Sequence, residues 1–295
     1  MPSTAAMAAA SPVTPPRRQR RHGTAVLLAT AVFAIAQAAA APPQRIASLN
    51  LCTDSMLFEL VDDRRIASVT TLSRDPNLSH FAERAAHRHV NHGAVEEILF
   101  TAPDLVIGDR QLAPQTARLL RRLDLPLLQF DHANTFDEYA ANLGRLAAAI
   151  GAEMQAASIL ASLHHALGDG PAGVSAAAPR AIIYQPNGYT PGTATLMHDI
   201  LRHAGLRDIA DELGLAFGGF ITLEQLIMAR PEILIFSARR TSAPSLAEQQ
   251  LRHPVLRRAR ALAAPTTVAR IPEHLWTCAG LFSVAAIRAL EVHAP

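Results

Sequence analysis

Val95-Glu96-Glu97-Ile98-Leu99 leads through Pro103-Asp104 into Leu105-Val106-Ile107, and Leu223-Glu224-Gln225-Leu226-Ile227 leads through Pro231-Glu232 into Ile233-Leu234-Ile235. In each copy a glutamate stands seven residues before a proline, an acidic residue follows the proline, and a β-branched apolar run comes next. Each copy predicts a short helix, a stop at a proline that cannot donate the helical hydrogen bond, and a buried strand. The two glutamates are 128 residues apart (224 minus 96). One such element is ordinary in an α/β domain. Two in the same order predict two similarly built lobes.

A chain of 295 residues can bury a core in each of two lobes, and a hydrophobic content of 49% excludes a disordered or collagen-like chain. Residues 1–40 read as a leader rather than as part of the fold. Arg17, Arg18, Arg20 and Arg21 form a basic start, Thr24 to Ala36 is apolar, and Ala38-Ala39-Ala40 offers a cleavage site. The apolar run is short for a membrane span, so a secretory signal peptide is expected. The twin arginines leave Tat export open beside Sec, although their neighbours fit that motif poorly. No cysteine stands at the cleavage site, so no lipid anchor is expected, and the mature protein should be soluble and periplasmic. Cleavage turns the formal charge of +2 into 2 − 4 = −2. The basicity belongs to the leader and gives no case for nucleic-acid binding.

After the leader, β and α signals alternate. Arg45 to Asn50 predicts a strand, Leu51 to Val61 a helix with Leu57, Leu60 and Val61 inward, and Arg65 to Thr70 a strand. Thr71 to His92 is polar and irregular. Beyond the first repeat come a helix over Gln115 to Leu123 and a strand over Leu125 to Phe130. Thr135-Phe136-Asp137-Glu138 is a capping box opening a helix that runs to about Leu167, about 45–50 Å long at 1.5 Å per residue. Such a rod exceeds one small lobe and should join two. The second half then repeats the alternation: a strand over Arg180 to Gln185, a helix over Thr195 to Ala204, a short strand within Leu206 to Ala210, and the second repeat to Phe236. A strand over Val268 to Ile271 and a helix over Phe282 to Val292 close the chain. The expected class is α/β, two mostly parallel-sheet lobes (41–134 and 169–295) joined by a backbone helix over 135–168.

The Arg45–Asn50 strand entering a helix, both Glu-helix-Pro-strand repeats, the capped linking helix and His253-Pro254-Val255 before the last strand together resemble one family. It is that of the periplasmic substrate-binding proteins of ABC importers for iron–siderophores and cobalamin, the class III, helical-backbone receptors. The resemblance covers about residues 44 to 293. It implies a ligand held between the lobes, no catalysis and no resident cofactor. The implied partners are a small-molecule metal chelate and an ABC permease dimer with its ATPase, served by a monomer. Glu96 and Glu224 match the family's two glutamates that engage permease arginines; a carboxylate in a first helical turn also simply complements the helix dipole.

Ligand contacts should come from loops leaving strand ends toward the other lobe. That nominates Asn50, Thr53, Ser73, Arg74, Asp109, Arg110, Tyr184, Gln185, Tyr189, Arg239, Arg240 and Trp276. Guanidinium forks at Arg74, Arg110, Arg239 and Arg240 suit the oxygens of an anionic ferric siderophore, and Tyr189 and Trp276 suit flat apolar walls. An iron–siderophore is therefore the first expectation, and the alternative is a corrinoid, which would rely on walls more than on arginines. Haem and a bare metal ion are further readings, but the spacing of His80, His87, His89, His92, His164 and His165 is not that of a compact zinc site. A secreted α/β enzyme is the rival from another class; the chain has no Gly-rich phosphate loop, G-x-S-x-G elbow or H-E-x-x-H motif. Cys52 and Cys278, the only cysteines, are either bridged, tying the lobes together, or reactive or metal-binding thiols.

Overall fold

Ile46 and Ala47 are fully buried because their strand, β1 (Ile46–Ser48), lies inside a parallel sheet covered on both faces. The computed structural model describes residues 41–168, 173–239 and 267–293. The leader, Arg240 and His253-Pro254-Val255 lie outside the described residues. After β1 come α1 (Leu51–Leu60), β2 (Ile66–Thr70), α2 (Ala82–Ala85), β3 (Val90–Asn91), α3 (Val95–Phe100), β4 (Leu105–Asp109), α4 (Pro114–Arg122) and β5 (Leu127–Phe130). The strands form one sheet in the order β3-β2-β1-β4-β5, all pairs parallel. Asn50 starts α1 as its N-cap, its Oδ1 accepting from the Cys52 and Thr53 amides.

The segment expected as one rod is two helices, α5 (Phe136–Ile150) and α6 (Glu153–Leu167). At 1.5 Å per residue each is about 22 Å long. Gly151 ends α5 in a left-handed conformation (φ 67°, ψ 44°), which costs glycine nothing. Arg65 fixes the break: its guanidinium donates to the Ile150 carbonyl at 2.6 Å and to the Pro43 carbonyl at 2.5 Å. The carbonyl at the helix end is therefore satisfied by a side chain instead of by a further turn. At the other end the Thr135 hydroxyl accepts from the Glu138 amide at 3.1 Å, one half of the expected capping box. The Glu138 carboxylate accepts from the Asn134 amide at 2.6 Å instead of from the Thr135 amide.

Beyond them lie β6 (Arg180–Ile183), β7 (Tyr189–Thr190), α7 (Leu196–His203), β8 (Arg207–Asp208), α8 (Ile209–Glu212), β9 (Gly219–Phe220), α9 (Leu223–Ala229) and β10 (Ile233–Ala238). They are followed by β11 (Thr267–Pro272) and α10 (Val284–Glu291). A second parallel sheet has the order β11-β10-β6-β8, and β7 pairs antiparallel with β9.

The two repeats share a scaffold in detail. Arg45 donates to the Thr101 and Ala102 carbonyls at the end of α3, and Arg180 donates to the Ala229 and Arg230 carbonyls at the end of α9. Asp104 accepts from the Arg45 amide at 2.9 Å, and Glu232 accepts from the Arg180 amide at 3.0 Å. Ala102 and Arg230, each directly before the proline, are both left-handed (φ 43° and 46°). An arginine thus caps each repeat helix while the acidic residue after the proline fastens the neighbouring strand. A single buried apolar cluster runs from Ile46 and Leu57 through Leu143 and Ile159 to Ile183, Ile235 and Ile287, joining both sheets through α5 and α6.

Candidate functional site

Each sheet changes its direction of growth at one point, between β1 and β4 in the first and between β6 and β10 in the second. Loops diverge there beyond the carboxyl ends of the strands and leave a crevice, the usual ligand position in open parallel sheets. In both lobes a polar pair closes it. The Asn50 amide donates to Asp109 Oδ2 at 2.6 Å, and the Gln185 amide meets Ser237 Oγ at 3.4 Å. The first crevice encloses about 20 Å³ between Asn50, Asp109, Asp131, His132 and Ala279, room for roughly one water molecule.

Several expected ligand residues instead hold the scaffold. Thr53 and Ser73 are buried; Thr53 Oγ1 lies 2.7 Å from Ser48 Oγ, and the Ser73 hydroxyl donates to Asp54 at 2.6 Å. Asp54 also accepts from the Thr70 amide and hydroxyl, and complete burial raises its pKa against those bonds. Tyr184 is buried, and burial first, then the Glu224 charge, pushes its pKa up. Trp276, expected as a flat wall, is 1% exposed inside the continuous core, so it supports the seam from behind. Three of the four candidate arginines are engaged, and the fourth, Arg240, lies outside the described residues. Arg74 donates to the Arg88 carbonyl at 2.6 Å, Arg110 pairs with Asp131 at 2.8 Å, and Arg239 pairs with Glu273 at 3.1 Å.

Tyr189 is different: it belongs to an aromatic surface that the sequence reading otherwise missed. Its ring meets Phe220 edge-on at 5.6 Å, and its hydroxyl donates to the Phe217 carbonyl at 3.4 Å. Phe217 and Phe220 are 81% and 74% exposed. β7 follows the carboxyl end of β6, and β9 feeds the amino end of α9, so the pair sits on the crevice edge of its sheet. Gly218 makes the close approach possible, since at φ +113° a Cβ would lie 2.6 Å from the Tyr189 hydroxyl. The legible signal was Phe217-Gly218-Gly219-Phe220, two large apolar rings on either side of a glycine pair.

A strap formed by residues 276–283 seals the seam between the lobes. Cys278 is bonded to Cys52 at the start of α1. Nearer the end of α1, Glu59 accepts from the Leu281 amide at 3.1 Å and from the Tyr139 hydroxyl of α5 at 2.5 Å. Burial pushes the Glu59 carboxyl up to about 7, and burial with the Glu59 charge raises Tyr139. A groove of about 780 Å³ opens beside this carboxylate along α6, where His80 stacks on Phe282 at 4.7 Å. It lies about 13 Å along α1 from Asn50 and so away from the first crevice.

Glu96 and Glu224 are exposed in the first turns of α3 and α9. Backbone and Thr222 hydrogen bonds hold the Glu224 carboxyl below its ordinary value. Among the described residues, no three His, Cys, Asp or Glu side chains gather as a metal site, and no helix is long and apolar enough to cross a membrane.

A family model described as periplasmic binding protein matches residues 46–273. Cobalamin-binding proteins of two strains of Halobacterium salinarum are 25% identical over 240 residues, 77% of this chain. The chain spans 60% of the length of those relatives. The periplasmic heme-binding protein HutB of Vibrio cholerae has the same fold, with a TM-score of 0.70 at 16% identity over 84% of this chain and 98% of that one. So has the vitamin B12-binding protein BtuF of Vibrio cholerae, at 0.58 and 16% over 85% and 96%. With the model spanning both sheets and well over half of its length, the chain belongs to the periplasmic binding protein family.

Proposed function

We propose that the chain is an exported receptor that captures a metal chelate with a broad flat face, a corrinoid before an iron–siderophore, and delivers it to an ABC permease. The observation that carries this reading is the Tyr189–Phe217–Phe220 surface, two of whose rings are exposed beside the second lobe's crevice. A large apolar-faced ligand gains from covering such rings, and their exposure has no role in the fold. The sequence ranked an anionic ferric siderophore first, on the strength of its arginines. Arg74, Arg110 and Arg239 each have a partner, so recruiting one means breaking that contact, and the order reverses. The likeness to cobalamin-binding relatives supports the same choice. Glu96 and Glu224, one per lobe, are the proposed contacts to permease arginines. The leader pattern supports export to the periplasm, and capture and release require no catalytic group.

The siderophore reading keeps one specific support: Arg110 and Arg239 stand exposed after β4 and β10, one in each lobe, and could exchange their carboxylate partners for ligand oxygens. Titrating the mature protein with cyanocobalamin, hemin and an anionic ferric tris-catecholate, followed by absorbance and native mass at two salt concentrations, separates the readings. Salt-insensitive binding of the corrinoid is the expected result. Salt-sensitive binding of the ferric tris-catecholate alone would overturn it.

A further inference from the structure

The scaffold described above accounts for the arginine, the proline and the acidic residue of each repeat, but not for three other residues in each. On α3, Glu96 is followed at i+3 and i+4 by Leu99 and Phe100, which are 42% and 80% exposed. On α9, Glu224 is followed at i+3 and i+4 by Ile227 and Met228, which are 38% and 81% exposed. Residues at these spacings share one helix face. Each lobe therefore presents the same group in the same register: a carboxylate in the first turn, a half-covered aliphatic side chain, and a large, almost bare apolar one. A lone exposed Phe or Met would be unremarkable. The same arrangement in both lobes, on helices fixed by the same arginine–carbonyl cap, is a surface with two equivalent halves.

We infer that Leu99–Phe100 and Ile227–Met228 are paired apolar anchors that seat the receptor on a partner with two like subunits, each offering an apolar hollow beside a basic group. This rests on the reading that Glu96 and Glu224 meet the permease, and it divides the labour there. The carboxylates steer and orient through a charge attraction that salt weakens. The apolar pairs supply dehydrated contact area, which salt leaves in place. A partner with one site would use only one lobe and would leave the other group without a purpose. A two-fold permease uses both.

The test measures binding of the full-length mature protein to its permease–ATPase complex in nanodiscs across a salt series. Its variants are Phe100→Ser with Met228→Ser, and Glu96→Gln with Glu224→Gln. All four side chains are exposed, so thermal melting should stay at the wild-type value. The serine pair should weaken docking by about tenfold or more with the salt slope kept, while the glutamine pair should flatten the slope. Serine variants that dock within twofold of wild type overturn the inference; if the glutamine pair still weakens docking, the carboxylate reading survives it. Loss of docking in the serine pair with an unchanged slope in the glutamine pair overturns the carboxylate reading alone. An effect of the serine pair confined to self-association of the receptor, seen by sedimentation, would overturn the apolar-anchor inference.

Discussion

The two lobes are built alike and finished differently. Arg45 with Asp104 in the first and Arg180 with Glu232 in the second perform the same fastening, down to a left-handed residue before each proline. At the carboxyl edges of the sheets the likeness is partial. Both crevices carry a polar pair, Asn50 on Asp109 in the first lobe and Gln185 on Ser237 in the second, and the first adds the exposed ion pair of Arg110 with Asp131. The second adds two open aromatic rings, Phe217 and Phe220, instead. Shared features mark what the fold needs, and the difference marks where the proposed ligand would meet unequal surfaces, charged on one side and aromatic on the other.

The largest expected effect concerns the link between the lobes. Cys52 and Cys278 are 226 residues apart, so their bridge closes a very long loop. Replacing both with serine should lower the unfolding free energy by about 2–5 kcal/mol. Denaturant melts followed by Trp276 fluorescence would show it. Should the double variant melt as the wild type does, the strap is not what joins the lobes.

Next comes the shared scaffold. Arg45→Met and Arg180→Met each strip two helix-end carbonyls of a charged donor, at a cost of about 1.5–3 kcal/mol. Similar losses in the two variants would sharpen the parallel between lobes. A loss in one alone would break it.

A smaller effect distinguishes the first lobe, which alone among the described residues sends a buried carboxylate to the strap. The folded pKa of Glu59, about 7, stands above its ordinary 4.5. A raised folded pKa favours folding below the ordinary value, and that contribution is lost as pH rises through the folded value. The window is therefore about pH 4.5 to 7, and Glu59→Gln should remove on the order of 2 kcal/mol of pH dependence across it. Asp54, also raised, acts in the same direction and should leave a residual slope in the variant. Parallel stability–pH curves for variant and wild type would contradict the assignment.

Much of this was legible in the sequence because strongly periodic segments report their own burial. Leu105 to Ile107 and Ile233 to Ile235 are strands as their apolar runs require, and Glu96 and Glu224 stand exposed where the repeat puts them. The helix break was visible as Gly151 but undecidable, since what fixes it is Arg65, 86 residues upstream in sequence yet bonded to Ile150. β3 was missed because two residues carry no period; Asn91 holds it through bonds to Ser48 and Ser68. The site was read least well. A loop arginine, serine or tryptophan looks alike in sequence whether it faces a ligand, Asp131, Asp54 or the core. Only the fold separates these cases, and it turned Trp276 inward while exposing Phe217 and Phe220.

The most direct test of unequal lobes compares two double variants in one corrinoid titration, Phe217→Ala with Phe220→Ala against Asn50→Ala with Asp109→Ala. The aromatic pair should lose about tenfold or more in affinity, roughly 1.4 kcal/mol, and the polar pair appreciably less. Equal losses, or a loss from the polar pair alone, would contradict an apolar-faced ligand seated on the second lobe.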